Sequence, residues 1–235
     1  MHDAQLLKEI VKHEILPDLP SCAFQSIILR MTTDYNSDLA LLRNEIAKVA
    51  ARMIAEDGAS YDTAKRKAAR HILGGTRVNG EILPDNAAIE NEIRIYNELF
   101  LADSQPARLL QLRKLALRLM EDLASFNPYL TGAVLNGTAG EHSDIHLQLF
   151  TDSAKDVEIF LLNRKIDYDV SESARFKGHG QPVETISFMW NREGVHLTVY
   201  GPDDLRGALK PNSSGRAERA NATSLQHLLD QATSA

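Results

Sequence analysis

Asp144 and His146 stand two residues apart in a stretch, Ser143 to Phe150, that is apolar at every other position from Ile145 to Leu149. Alternation of that kind predicts a strand with one buried face, and it puts Asp144 and His146 together on the other face. A preceding strand ends at Gly132, and small residues including Ala133, Gly137, Thr138, Ala139 and Gly140 cross over to the Asp-bearing strand. A carboxylate near a glycine-containing turn suits phosphate chemistry. The acid holds a divalent cation, and turn amides approach phosphate closely.

In order and spacing these residues resemble the nucleotidyltransferases of the DNA polymerase β type. That pattern is a hydrophobic residue, Gly, then Ser or Gly, about ten further residues, and Asp-hydrophobic-Asp/Glu-hydrophobic. Gly132-Ala133 and Asp144-Ile145-His146-Leu147 fall on it in register, with Ser143 on the approach, and the match runs over residues 126 to 205. The resemblance implies Asp144 as catalytic residue and metal ligand, with His146 beside it. It also implies phosphate contacts from Gly132, Ala133, Gly137, Thr138 and Ser143, and Mg²⁺ or Mn²⁺ bound with a nucleoside triphosphate. Three positions depart from the pattern. Ala133 stands where Ser contacts phosphate, His146 where a second metal carboxylate belongs, and Asn136 where small bacterial members often carry Arg. Transfer in the family uses two cations bridged by carboxylates. An imidazole suits transition metals better than Mg²⁺, so His146 is expected to weaken Mg²⁺ binding.

The family places a further carboxylate on a later strand. Val183–Trp190 and Val195–Tyr200 read as a hairpin joined by the turn Asn191-Arg192-Glu193-Gly194, in which Glu184 is the one carboxylate inside either strand. Glu184 is therefore the candidate acid completing the site, with His196 nearby. Trp190 and Tyr200 could stack on a base or be buried in the sheet, and His142 could meet a phosphate. Asp156-Val157-Glu158 also spells acid-hydrophobic-acid, but its neighbours keep helical spacing after a cap at Asp152 or Ser153. Two residues apart on a helix point to nearly opposite sides, so this pair cannot share an ion.

The elements around the motif divide the chain. Leu6, Leu7, Ile10 and Val11 form an apolar stripe; Leu39, Leu42, Ile46, Val49 and Met53 continue at helical spacing from a cap at Ser37. Ser60 or Asp62 caps a basic helix that stops at Gly74-Gly75. Asp85 caps another, with Ile89, Ile93, Tyr96 and Phe100 on one side. A long helix from about residue 104 to 126 turns Leu109, Leu112, Ala116, Leu119 and Leu123 inward. The expected class is α+β: a helical region over 1–125, a small nucleotidyltransferase-like mixed sheet flanked by helices over 126–210, and a tail over 211–235 with a short helix around Leu225, Leu228 and Leu229. On the basic helix, Arg66 with Arg70 and Lys67 with His71 are four apart, so the Lys65–Arg70 segment offers a face for a protein or RNA partner; the other reading is a solvated helix face.

A formal charge of −6 over 235 residues does not describe a general nucleic-acid binder, which needs a dominant basic surface. Cys22 is the only cysteine, which excludes an intrachain disulfide and a cysteine-based zinc cluster. The start Met1-His2-Asp3-Ala4 lacks a secretion signal's basic and apolar regions, and no stretch approaches the ~20 apolar residues of a membrane span, so a cytoplasmic location without a membrane partner is expected. Three functions fit. The chain is a degenerate nucleotidyltransferase that binds a nucleotide or partner with weak or no transfer, an active metal-dependent nucleotidyltransferase moving NMP to a small-molecule, protein or RNA hydroxyl, or a helical interaction protein scaffolded by the α/β part. Loss of the second carboxylate favours the first.

Overall fold

The computed structural model describes residues 21–74, 80–173, 175, 181–209 and 217–234. The stripe at Leu6–Val11 and the Pro211–Gly215 break lie outside the described residues. The protein is α+β, with helices first and a five-stranded mixed sheet after them. The chain forms two compact units, residues 1–51 with 60–92 and residues 52–59 with 93–235. The unit carrying the sheet thus begins well before residue 126 and takes in the C-terminal helix.

Of the helices that precede the sheet, α1 (Ser21–Asp57) runs on through Ser37, with no residue nearby to break it, and buries Ile46, Ala47 and Ala50. Helix α2 (Tyr61–Ile72) starts where the Ser60 hydroxyl accepts from the Thr63 amide at 3.4 Å, and it buries Ala64, Ala68 and Ala69. Its Arg66, Lys67, Arg70 and His71 are exposed. The Asp85 carboxylate caps α3 (Asn86–Phe100) by accepting from the Ala88 amide at 2.7 Å. Phe100, which its spacing sets on the same side as Ile89 and Ile93, sits at the helix end, 67% exposed.

The second unit is built on the sheet, ordered β1-β2-β5-β4-β3, from β1 (Pro128–Thr131), β2 (Ile145–Phe150), β3 (Tyr168–Ser173), β4 (Val183–Trp190) and β5 (Glu193–Tyr200). Among the described strands only β2 and β5 pair in parallel. The long helix α4 (Gln105–Asp122) precedes β1, a single short helix α5 (Gly132–Asn136) joins β1 to β2, and α6 (Ala154–Asn163) leads towards β3. After the small α7 (Leu205–Ala208), α8 (Ala222–Ser234) closes the chain.

The alternation of each strand decides its two faces. Leu130, Ile145, Leu147, Leu149, Ile186, Val195 and Leu197 join Leu112, Ala116 and Leu119 of α4, Val157 and Leu161 of α6 and Leu225 of α8 in one buried cluster. Burying a side chain of this size is worth about 1.5–3 kcal/mol, so this face holds the unit together. The other face grades from apolar to polar. Phe150, Val183 and Tyr200 pack with Ala208 of α7 at one end. Next comes a row of Gln148, Thr198, Thr185 and Ser171, one residue from each of four adjacent strands. Beyond it lies Thr131, His146, His196, Ser187 and Asp169, one from each of all five.

Candidate functional site

The last of these rows is where the chemistry-bearing side chains meet. Asp144 enters it from just before β2. Its carboxylate lies over Gly194, where a Cβ would come within 2.7 Å of the Asp144 Cγ, so only glycine leaves room for it. There Asp144 Oδ2 is 3.1 Å from His196 Nε2, and His196 Nδ1 is 2.8 Å from Ser187 Oγ. A carboxylate accepts and cannot donate, so Nε2 carries the ring hydrogen. His146, the expected partner of Asp144, instead stacks on His196, with ring centres 4.8 Å apart and planes 18° from parallel. Asp144, Ser187 and His196 line a cleft of about 710 Å³ with Lys165, Asp167 and Asp169.

The loops around the row are pinned by side chains of α4. Arg108 grips Glu193, the first residue of β5, through two contacts of 2.6 Å and donates to the Glu141 carbonyl at 3.0 Å. That carboxylate holds the Arg108 guanidinium above its ordinary value. Gln105 donates to the carbonyls of Gly137 and Ala139, and Arg113 to those of Val134 and Leu135 at the end of α5. Burial pushes Arg113 below its usual value, since its partners are carbonyls and carry no full negative charge.

The expected phosphate turn has a different use. The amides of Gly137, Thr138 and Ala139 all donate to the single carbonyl of Ala133, at 3.0 to 3.1 Å. Thr138 is buried and its hydroxyl and amide also donate to the Asn136 side chain. Ser143 accepts from the Gly140 amide at 2.9 Å. These groups close the turn on itself, so the amides of Gly137 and Thr138 and the Thr138 hydroxyl are already donated within the turn, while the Ser143 hydroxyl accepts from it. Gly132, at φ +70°, opens α5 and abuts His146, placing Gly132 and Ala133 on the far side of the imidazole pair from the cleft.

Glu184 does not join Asp144. It shares the parity of Ile186, on the face opposite Ser187, and stands three residues along β4 from the polar row, roughly 10 Å of strand rise. Tyr200 is buried and stacked on Phe150, and Trp190 packs against the core, so both serve the interior. His142 sits against Gly58 and lines a separate cleft with Gln105 and Arg108. Asp156 and Glu158 lie on helix α6, where Glu158 accepts from the Tyr168 hydroxyl at 2.9 Å.

Sequence reasoning missed Ser187 and the bond between Asp144 and His196. The signal was the hairpin. Its loop is only Asn191-Arg192, both at positive φ, and a two-residue loop between Trp190 and Glu193 fixes Ser187 opposite His196.

Among the described residues no group of three or more His, Cys, Asp or Glu side chains is arranged to hold a metal ion. Asp144, His146 and His196 supply one carboxylate and two imidazoles, one of whose nitrogens is committed to that carboxylate. Such a donor set does not fit a resident Mg²⁺, which takes oxygen ligands in near-octahedral array.

His146 responds to its surroundings in a testable way. Desolvation first, and the neighbouring His196 second, push its pKa down from 6.5 to about 4, against a smaller opposite pull from Asp144. The stacked ring face is screened from water even though the residue is exposed at the sheet surface. The unfolded chain therefore binds this proton more tightly, and stability is lost as pH falls from 6.5 towards 4. After discounting for the exposed edge, the expected loss is roughly 1 kcal/mol. Urea unfolding at several pH values should show it, and His146→Gln should flatten that window.

No family model, curated protein or solved structure matches the chain. Among the described residues no helix is long and apolar enough to cross a membrane.

Proposed function

We propose that the chain is a nucleotidyltransferase-fold protein whose transfer site has become a binding site, taking a nucleotide or a partner with weak or no transfer. The order helix, strand, short crossover, strand, with an acid at the entrance to the second strand, is the arrangement the sequence resemblance implies. One observation carries the degenerate reading: Asp144 is tied to an imidazole, and a second imidazole is stacked on that ring, where a two-ion site needs carboxylates. Asp144, Asp167 and Asp169 make the cleft acidic, with Lys165 as a counter-charge, so a bare triphosphate is repelled. The nucleotide enters with Mg²⁺ or Mn²⁺ already on its phosphates. The exposed cationic face of α2 gives a protein or RNA partner a place to dock, but exposure alone supports it, and the nucleotide reading is preferred.

Screening ATP, CTP, GTP and UTP with Mn²⁺ by thermal shift and pyrophosphate release tests this. A rise in melting temperature of a few degrees with at least one of them, lost in Asp144→Ala and unaccompanied by pyrophosphate, is the expected result. A shift that survives in Asp144→Ala would remove Asp144 from the site, and steady pyrophosphate release would replace this reading with an active transferase.

A further inference from the structure

We infer that Asp144, His196 and Ser187 form a relay that makes Ser187 an acylatable nucleophile, giving the cleft slow hydrolytic activity towards small esters. This inference is independent of nucleotide binding. The contacts run Asp144 Oδ2 to His196 Nε2 at 3.1 Å and His196 Nδ1 to Ser187 Oγ at 2.8 Å. With Nε2–H committed to the carboxylate, a neutral ring keeps Nδ1 bare, and the Ser187 hydroxyl donates to it. Nucleophile, base and orienting acid are thus in line, the order that activates a serine, with the roles of the two ring nitrogens exchanged.

The fold fixes each member independently. Ser187 and His196 are cross-strand partners on two interior strands. Gly194 leaves the space into which Asp144 leans, and the Arg108–Glu193 clamp holds the turn end of the hairpin. Ser187 is half-buried and opens, with the other two, onto the 710 Å³ cleft.

The reaction balances without a cofactor. Ser187 Oγ bonds to the ester carbonyl carbon as its proton passes to His196 Nδ1. The adduct collapses when Nδ1–H protonates the departing oxygen, leaving acyl-Ser187 and free alcohol. Water then attacks the acyl carbon, loses a proton to Nδ1, and that proton returns to Ser187 Oγ as the acid leaves. The ladder amides of β4 and β5 are turned into the sheet, so no pair of backbone donors is aimed at the oxyanion, and among the described residues Lys165 is the one cationic side chain of Lys or Arg type lining the cleft. Missing a paired-amide hole costs about 10²–10³ in rate for each absent donor, which is why turnover is slow. The acidic wall selects neutral or cationic acyl groups over anionic ones.

The test uses the full chain with a fluorophosphonate probe, read by peptide mass spectrometry, and with p-nitrophenyl acetate. Expected are a single adduct at Ser187 and nitrophenol release about 10²-fold faster than in His196→Gln. Asp144 acts through His196 as a positioning residue, so Asp144→Asn should lower kcat and leave KM unchanged. Ser187→Cys, nearly isosteric, should move reactivity at that position to iodoacetamide. No adduct at Ser187 in the folded wild type, or an adduct formed equally fast in His196→Gln, would overturn the relay. A nucleotide-induced thermal shift without labelling would sink this inference alone, and labelling without such a shift would sink only the nucleotide reading.

Discussion

Replacing Arg108 by Ala should lower unfolding free energy by roughly 2 to 3 kcal/mol and the melting temperature by about 5–10 °C. The Arg108 and Glu193 side chains are 20% and 11% exposed, so the pair lies between a surface bridge worth under about 1 kcal/mol and a buried one whose rupture costs about 3–5. Most of the loss is not the attraction itself. It is the Glu193 carboxylate left at the start of β5 without its two donors, and the Glu141 carbonyl left without its own. Arg108→Lys should recover only part of the stability, because an ammonium cannot reproduce the two parallel contacts. The double variant Arg108→Met with Glu193→Gln should be more stable than Arg108→Ala, since no charge is then stranded. Denaturant melts of the three variants separate these terms, and equal losses for Arg108→Ala and the double variant would mean that the clamp is only packing.

Leu225→Ala should cost about as much or more, roughly 2–5 kcal/mol. Leu225 has no exposed surface and belongs to the same cluster as Leu119 of α4 and Leu147 of β2. Around it, the chain just before α8 bridges to β1 through two backbone bonds between Leu130 and Ala220, at 2.8 and 3.0 Å. Removing the isobutyl group leaves a cavity between a helix and a sheet that are both fixed elsewhere, so little collapse can repair it. His227→Ala, on the exposed side of the same helix, should stay within about 0.5 kcal/mol of wild type. Equal stability of the two variants would contradict the placement of α8 in the core.

That contrast shows what the sequence does and does not reveal. The apolar spacing of Leu225, Leu228 and Leu229 marks a helix, but nothing local says that its partner lies on α4 and β1, a hundred residues earlier. Alternation in β2 put Asp144 and His146 on the polar face because side-chain direction is a local property of a strand. Which strand would pair beside it is not local, and the parallel pairing of β2 with β5 is what sets His196 against His146. The register of the β4–β5 hairpin was within reach. Arg192 holds a positive φ where Gly is usual, so from sequence alone the loop reads as two residues longer, with Glu193 part of it. Residue type alone points to Glu184, whereas its parity with Ile186 places it on the other face. The turn at Gly137 was read from its small residues, but the convergence of three amides on the Ala133 carbonyl follows from how the chain folds after α5. The long helix α1 passes Ser37 because a capping residue begins a helix only where the preceding chain is not already helical.

Both functional readings depend on the state of one imidazole, which long-range ¹H–¹⁵N NMR of the ring nitrogens reports directly. The neutral His196 ring should carry its hydrogen on Nε2 and leave Nδ1 bare, and this tautomer preference should disappear in Asp144→Ala. A His196 ring protonated at Nδ1 alone, or a spectrum unchanged when Asp144 is removed, would contradict the site as described.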